Sequence, residues 1–144
     1  LSIILIDWKD DFRISDSLGN YVPTDDISQA ESLSFNFNLE YWNPSDSPRG
    51  LRDMRVEIHK PKKERISFPL KQSIKVSNPT TAFPFIMKEI SIINIPSKQI
   101  IKENYTIYVP NDNLDYLKGI SFFYLVGKYP NNKKVKIFLR EGKY

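Results

Sequence analysis

From Leu33 to the C-terminus, apolar and polar residues alternate, and almost nothing recurs at the helical period. Phe35, Phe37, Leu39 and Tyr41 fall on one side of the pattern; Ser34, Asn36, Asn38 and Glu40 fall on the other. Met54, Val56 and Ile58 alternate in the same way with Arg55, Glu57 and His59. So do Ile120, Phe122, Tyr124 and Val126, and then Val135, Ile137 and Leu139. A side-chain period of two marks a half-buried β-strand. Strands of this kind, broken by Pro, Asn, Asp and Gly clusters, predict an all-β antiparallel sandwich of about seven to nine strands.

The segment Ile3 to Ile14 predicts one or two edge strands, with turns at Asp10-Asp11 and Gly19-Asn20. Pro23 to Glu31 is polar and reads as a loop or one helical turn. Leu33–Trp42 is the clearest strand, followed by dense turn chemistry from Asn43 to Gly50. Arg52–Lys60 is the next strand and stops at Pro61 to Lys63; short strands follow at Arg65–Phe68 and Ser73–Ser77. Asn78, Pro79, Thr80 and Pro84 predict a break. Phe85–Ile95 is so apolar that its faces cannot be separated, which suits a strand buried on both sides or one crossing between sheets. Tyr105–Val109 is short and alternating. Asn111 to Gly119 predicts one helical turn with Asn or Asp in front and Gly behind. The strands Ile120–Val126 and Lys134–Arg140 form a hairpin through Gly127 to Asn132.

This order of strands and turns resembles immunoglobulin-like β-sandwiches in layout, although without Cys the antibody-type disulfide is absent. A narrower stretch, Leu39-Glu40-Tyr41-Trp42-Asn43-Pro44, then Pro48 and Leu51-Arg52-Asp53-Met54-Arg55-Val56, resembles bacterial sandwich domains that stand beside a membrane anchor or another domain. In those domains an apolar strand ends in an Asn-led turn and a Leu-Arg-Asp start opens the next strand. The resemblance implies an accessory or recognition role, not catalysis.

A chain of 144 residues suits one domain, here 1–144, read as the soluble part of a longer chain. It buries enough surface to need no disulfide staple, and the lack of Cys removes thiolate chemistry. No run of apolar residues is long enough to span a membrane. The chain opens at Leu1 rather than Met, which points to residues removed before it. The apolar run Leu1 to Ile6, ending at Asp7-Trp8-Lys9, is either the tail of a membrane span with Trp8 at the interface or a first strand. The expected localisation is membrane-anchored or exported.

Net charge is +4, which favours an anionic neighbour such as a membrane surface without requiring one. Lys60, Lys62, Lys63 and Arg65, with Lys71 and Lys75, form the one basic concentration; Glu64 interrupts it, and it reads either as a lipid or phosphate contact or as a solvated edge. No aromatic interleaving suggests nucleic-acid binding. No glycine-rich phosphate loop is present, so nucleotide-dependent catalysis is not expected.

His59 is the sole histidine, which excludes a multi-histidine metal site, and no Gly-x-Ser-x-Gly elbow accompanies it. The acid pairs Asp10/Asp11, Asp25/Asp26 and Asp112/Asp115 would serve glycoside hydrolysis only across a cleft. Asn111, Asp112, Asn113 and Asp115 form the best oxygen cluster for calcium, or else cap the short helix. Asn104-Tyr105-Thr106 matches a glycosylation acceptor pattern. Trp8, Tyr21, Trp42, Tyr108, Phe123, Tyr129 and Tyr144 are aromatics without an assigned core face.

No catalytic residue, metal or cofactor is therefore expected. The expected role is a non-catalytic recognition domain with a protein partner. The loop Asn43 to Arg52 is its binding element, and Trp42, Asn43, Arg49 and Arg52 are the candidate residues, because Trp and Arg are over-represented among energetic anchors. The alternative is a carbohydrate-binding module, which predicts a coplanar pair of exposed aromatics and a structural calcium.

Overall fold

The computed structural model describes residues 1–76 and 85–144. The break predicted at Asn78, Pro79, Thr80 and Pro84 lies outside the described residues, as does Ser77. Ten antiparallel strands are described: β1 (Ser2–Ser15), β2 (Tyr21–Pro23), β3 (Ser32–Asn43), β4 (Arg49–His59), β5 (Ile66–Lys75), β6 (Phe85–Ile90), β7 (Ile93–Ile95), β8 (Gln99–Val109), β9 (Ile120–Lys128) and β10 (Lys134–Lys143). A 3-10 turn at Ile27–Gln29 and another at Asn111–Asn113, continued by α1 (Leu114–Leu117), complete the chain.

One sheet runs β2-β1-β3-β8-β5-β6 and the other runs β10-β9-β4-β5, with β7 on the start of β4. Strand β5 belongs to both. Its first half, Ile66 to Pro69, pairs with β4; Leu70 to Lys75 pairs with β6, and Lys71 also meets Thr106 of β8. The two short strands expected on either side of Pro69 are thus one strand that crosses between layers. Pro69 stands where β5 leaves β4, a point at which a missing N–H costs a ladder little.

The core lies between the layers. Leu33, Phe35, Phe37, Leu39 and Tyr41 of β3 are buried, facing Met54, Val56, Ile58, Phe123 and Leu125 of the opposite layer. Each such side chain contributes roughly 1.5–3 kcal/mol on leaving water. Phe35 meets Phe123 edge-on at 5.1 Å, a contact between the two sheets. Trp8 closes the side between β1 and β10, stacked on Phe37 at 5.0 Å with the Arg140 guanidinium 5.4 Å from its ring.

Several expectations are corrected. The stretch Ile3 to Ile14 holds no turn at Asp10-Asp11: β1 is one continuous strand, and those residues pair with Phe35 and Ser34 of β3. Asp10 accepts from the Trp8 indole and the Tyr144 hydroxyl, and Asp11 from Arg13, so both carboxylates have partners within a strand. Of the two readings of Leu1 to Ile6, the first strand is the one found, since the run leads into β1, and no helix among the described residues is long and apolar enough to cross a membrane.

Phe85–Ile95 is two strands, not one: β6 pairs with β5, β7 pairs with β4, and β6 is exposed instead of buried. In β9 the faces are reversed. Ser121, Phe123 and Leu125 point into the core, while Ile120, Phe122, Tyr124 and Val126 lie on the outer side. This strand is apolar on both faces, so alternation alone could not fix its register.

Candidate functional site

The turn after β3 is built from its first residue. Asn43 is completely buried, and its amide nitrogen donates to the carbonyls of Ser47 (3.0 Å), Ile95 (3.0 Å) and Pro96 (3.2 Å). Its side-chain oxygen accepts from the Ser45 amide at 3.1 Å and the Ser45 hydroxyl at 2.7 Å. One side chain therefore ties the turn to β7. The Asn-led turn is a structural device, and Asn43 has no surface to offer a partner.

Trp42 points the other way, onto the outer face of the β1-β3-β8 layer, where it is 37% exposed. It lies directly across from Ser2 of β1 and Ile100 of β8. Ile4 stands one step along β1, opposite Glu40. Directly opposed residues are about 4.5–5.5 Å apart and diagonal ones about 7–8 Å, still within reach of long side chains, so Trp42, its opposite neighbour Ile100 and its diagonal neighbour Ile4 form one exposed apolar patch. Beyond it the same face turns polar: Asn38 donates to Asp7 at 2.6 Å, Asn104 donates to Asn38 at 2.9 Å, and Asn36 bonds both Asn104 and Thr106.

Arg49 opens β4 beside an open cleft of about 390 Å³ lined by Leu1, Ser45, Pro48, Tyr129, Pro130 and Asn131. Its Nε donates to the Ser45 hydroxyl at 3.2 Å, so the loop that Asn43 fixes also orients the guanidinium. Arg52 lines a second shallow cleft with Ile92 and Ile93, and Gly50 and Pro130 border both. Next to Arg52 the strand bulges: register slips between Arg52 and Arg55, and Asp53 takes a φ of +53°, a value uncommon outside glycine. Gly127 lets β9 approach there, since a Cβ would stand 3.1 Å from the Arg52 carbonyl. The Leu-Arg-Asp start is thus the sequence of a bulge. The structure sets Arg49 and Arg52 beside separate clefts that share Gly50 and Pro130, places Trp42 on the outer face of the β1-β3-β8 layer where it lines neither cleft, and removes Asn43 to the interior.

The other candidates are dispersed. The Lys60 ammonium donates to the carbonyls of Leu117 (3.3 Å) and Lys118 (2.7 Å) and to the Ser121 hydroxyl (3.1 Å), capping α1 from outside. Burial lowers its pKa, with Lys63 adding to the effect. Arg65 pairs with Glu57, while Lys63 and Lys71 lie over the rings of Tyr116 and Tyr108. His59 bonds Glu57 and leans on Tyr124, with ring centroids 4.5 Å apart.

Asn111 donates to the Ala30 carbonyl at 2.6 Å and Asp115 pairs with Lys118 at 3.2 Å, so neither is directed toward a shared ion. Asp26 caps the first 3-10 turn through Ser28. Of the unassigned aromatics, Phe123 is core; Tyr144 packs on Phe12 and Phe35 with its hydroxyl pKa raised, first by burial and then by Asp10. On the outer face of β9 and β10, Tyr124 and Phe138 meet at 64°, not coplanar.

Sequence reasoning missed the apolar neighbours of Trp42. The signal was present in Ile4 and Ile100, but only the pairing of β1, β3 and β8 brings them together.

Comparison with known proteins places the fold among relatives. The chain is 25% identical over 144 residues to the SPbeta prophage-derived uncharacterized protein YopI of Bacillus subtilis strain 168, covering 98% of this chain and 79% of that protein. A solved protein from Archaeoglobus fulgidus superposes with a TM-score of 0.51 at 9% identity, over 97% of this chain and 95% of that one. An uncharacterized β-sandwich protein from Clostridium difficile gives 0.42 at 13% identity, over 96% and 84%. The sequence model of the YopI Ig-like domain matches residues 1–140, and the chain belongs to that family.

Proposed function

We propose that this domain is a non-catalytic recognition module that binds a protein partner through the sandwich end bearing Trp42, Arg49 and Arg52. The observation that carries this reading is the exposed apolar patch of Trp42, Ile4 and Ile100, which adjoins a loop fixed from beneath by Asn43. Trp and Arg are over-represented among the residues that supply most of the binding energy at protein interfaces. The cleft beside the loop is open, and Asp10, Asp11, Asp26 and Asp115 each have a structural partner.

Photo-crosslinking in the source cells tests this. A photoreactive residue at Ile100, directly across from Trp42, should give a discrete protein adduct, lost when Arg49→Glu is added. The same residue at Leu18, exposed on the β1–β2 turn, should give none. Equal labelling from both positions, or an adduct insensitive to Arg49→Glu, overturns the reading. Fractionating the same cells shows whether the adduct travels with membranes, as expected of an anchored protein, or leaves them, as expected of an exported one.

A further inference from the structure

The edges of the two layers are not treated alike. Strand β2 is three residues long and ends in Pro23. Strand β10 carries Lys134, Lys136 and Lys143. Short length, Pro and Lys are the usual means of keeping a sheet edge from pairing with another chain. Strand β6 has none of these over its first half. Phe85, Ile86 and Met87 are 57%, 54% and 40% exposed, and among the described residues β6 pairs only with β5. Among the described residues the outer N–H and C=O groups of β6 meet no other strand, and such a row flanked by apolar side chains is a template for strand addition.

We propose that β6 joins two copies of this chain edge to edge about a two-fold axis centred on Ile86. The sequence of the strand selects both occupant and register. Antiparallel pairing about a two-fold keeps each residue on its own face, so some residue must stand opposite its own copy. Centring on Lys88 or Glu89 opposes like charges, and centring on Met87 sets Ile86 against Lys88 and Phe85 against Glu89. Centring on Ile86 sets Phe85 against Met87 of the second copy, and Met87 against Phe85, which gives a sulfur–aromatic contact on each side. Ile74 of β5 is already opposite Ile86. The dimer therefore lines up Ile74, Ile86 and their two counterparts in one row across four strands. Lys88 and Glu89 lie past the apolar triad and disfavour a slip toward the C-terminal end of β6.

This edge lies on the opposite side of its layer from β1 and β2. Pairing there leaves the Trp42 surface open on both copies, so a dimer is compatible with partner binding and independent of it.

The chain contains no Cys, so a single introduced one reports only on the junction. Sedimentation of the intact chain from low micromolar to millimolar concentration should show a monomer–dimer equilibrium. Ile86→Lys, which places like charges face to face, should raise the dissociation constant by on the order of tenfold or more. Ile86→Cys should form a disulfide-linked dimer under mild oxidation much faster than Lys88→Cys, because opposed Cα atoms are about 4.5–5.5 Å apart. A chain that stays monomeric throughout, a dimer indifferent to Ile86→Lys, or equal cross-linking at both positions overturns the proposal. Since Ile86 and Lys88 are both exposed, the Cys variants retain the monomer fold, and circular dichroism verifies it.

Discussion

The hydroxyls of Tyr41 and Tyr105 meet at 2.9 Å inside the core, each the other's partner across β3 and β8. Both residues are fully buried, so neither hydroxyl has water as an alternative. Tyr41→Phe or Tyr105→Phe strands one hydroxyl and should cost about 1–3 kcal/mol. The double Phe variant removes both and should cost less than the sum of the two. Urea denaturation of the four proteins completes the cycle.

The same pair makes the fold sensitive to alkali. Burial, then the neighbouring hydroxyl and Glu103, holds the Tyr41 hydroxyl far above its ordinary range. Tyr105 is pushed up to about 12, chiefly by burial. A tyrosine whose folded pKa exceeds the unfolded value of 10.0 keeps its proton longer in the folded state. Its contribution is complete below pH 10 and is lost as pH rises from there through about 12. Denaturation midpoints measured at successive pH values should fall across that window, and the double Phe variant should fall less.

Asn43 and Trp42 are adjacent in sequence and opposite in duty. Asn43→Ala leaves three carbonyls and the Ser45 groups without their partner and should cost about 2–4 kcal/mol in thermal or chemical denaturation. Trp42→Ala should change stability by less than about 1 kcal/mol while abolishing the adduct described above.

The register of β9 is testable by the same means. Phe123→Ala should cost about 3–5 kcal/mol, as expected for an aromatic ring removed from a packed core. Phe122→Ala, on the outer face, should cost much less. The reverse order would restore the alternation first expected from the sequence.

Lys60→Met should lower stability by about 1 kcal/mol, because the carbonyls of Leu117 and Lys118 lose their cap. It should leave any binding to anionic vesicles unchanged, since this ammonium is engaged by two carbonyls and the Ser121 hydroxyl. Vesicle co-sedimentation measures the second point.

How much of this was legible depended on whether local pattern and tertiary role agreed. In β3 they agreed: Phe35, Phe37, Leu39 and Tyr41 alternate with polar residues, and the strand is a central one, so fold class and core face were both readable. In β9 the outer face carries Phe122, Tyr124 and Val126, and the pattern pointed to the wrong side. In β6 the residues are apolar without being buried, and apolarity alone suggests a core. Asn43 was readable as a turn former, but the three carbonyls it serves come from two separate segments, Ser47 and Ile95-Pro96, and no sequence rule connects them. The charges from Lys60 to Lys75 were grouped only by their order along the chain; in space Lys60 goes to a helix end and Arg65 to Glu57.

Asn43 also separates the tip of the molecule from its frame. The path of residues 44–48 is dictated from below, largely by backbone atoms and Ser45, so Asp46 and Arg49 carry side chains whose identity the frame does not need. Such a tip behaves as an exchangeable cassette. A display library diversified at Asp46 and Arg49, with Asn43 and Ser45 held constant, would sample new specificities on an unaltered scaffold.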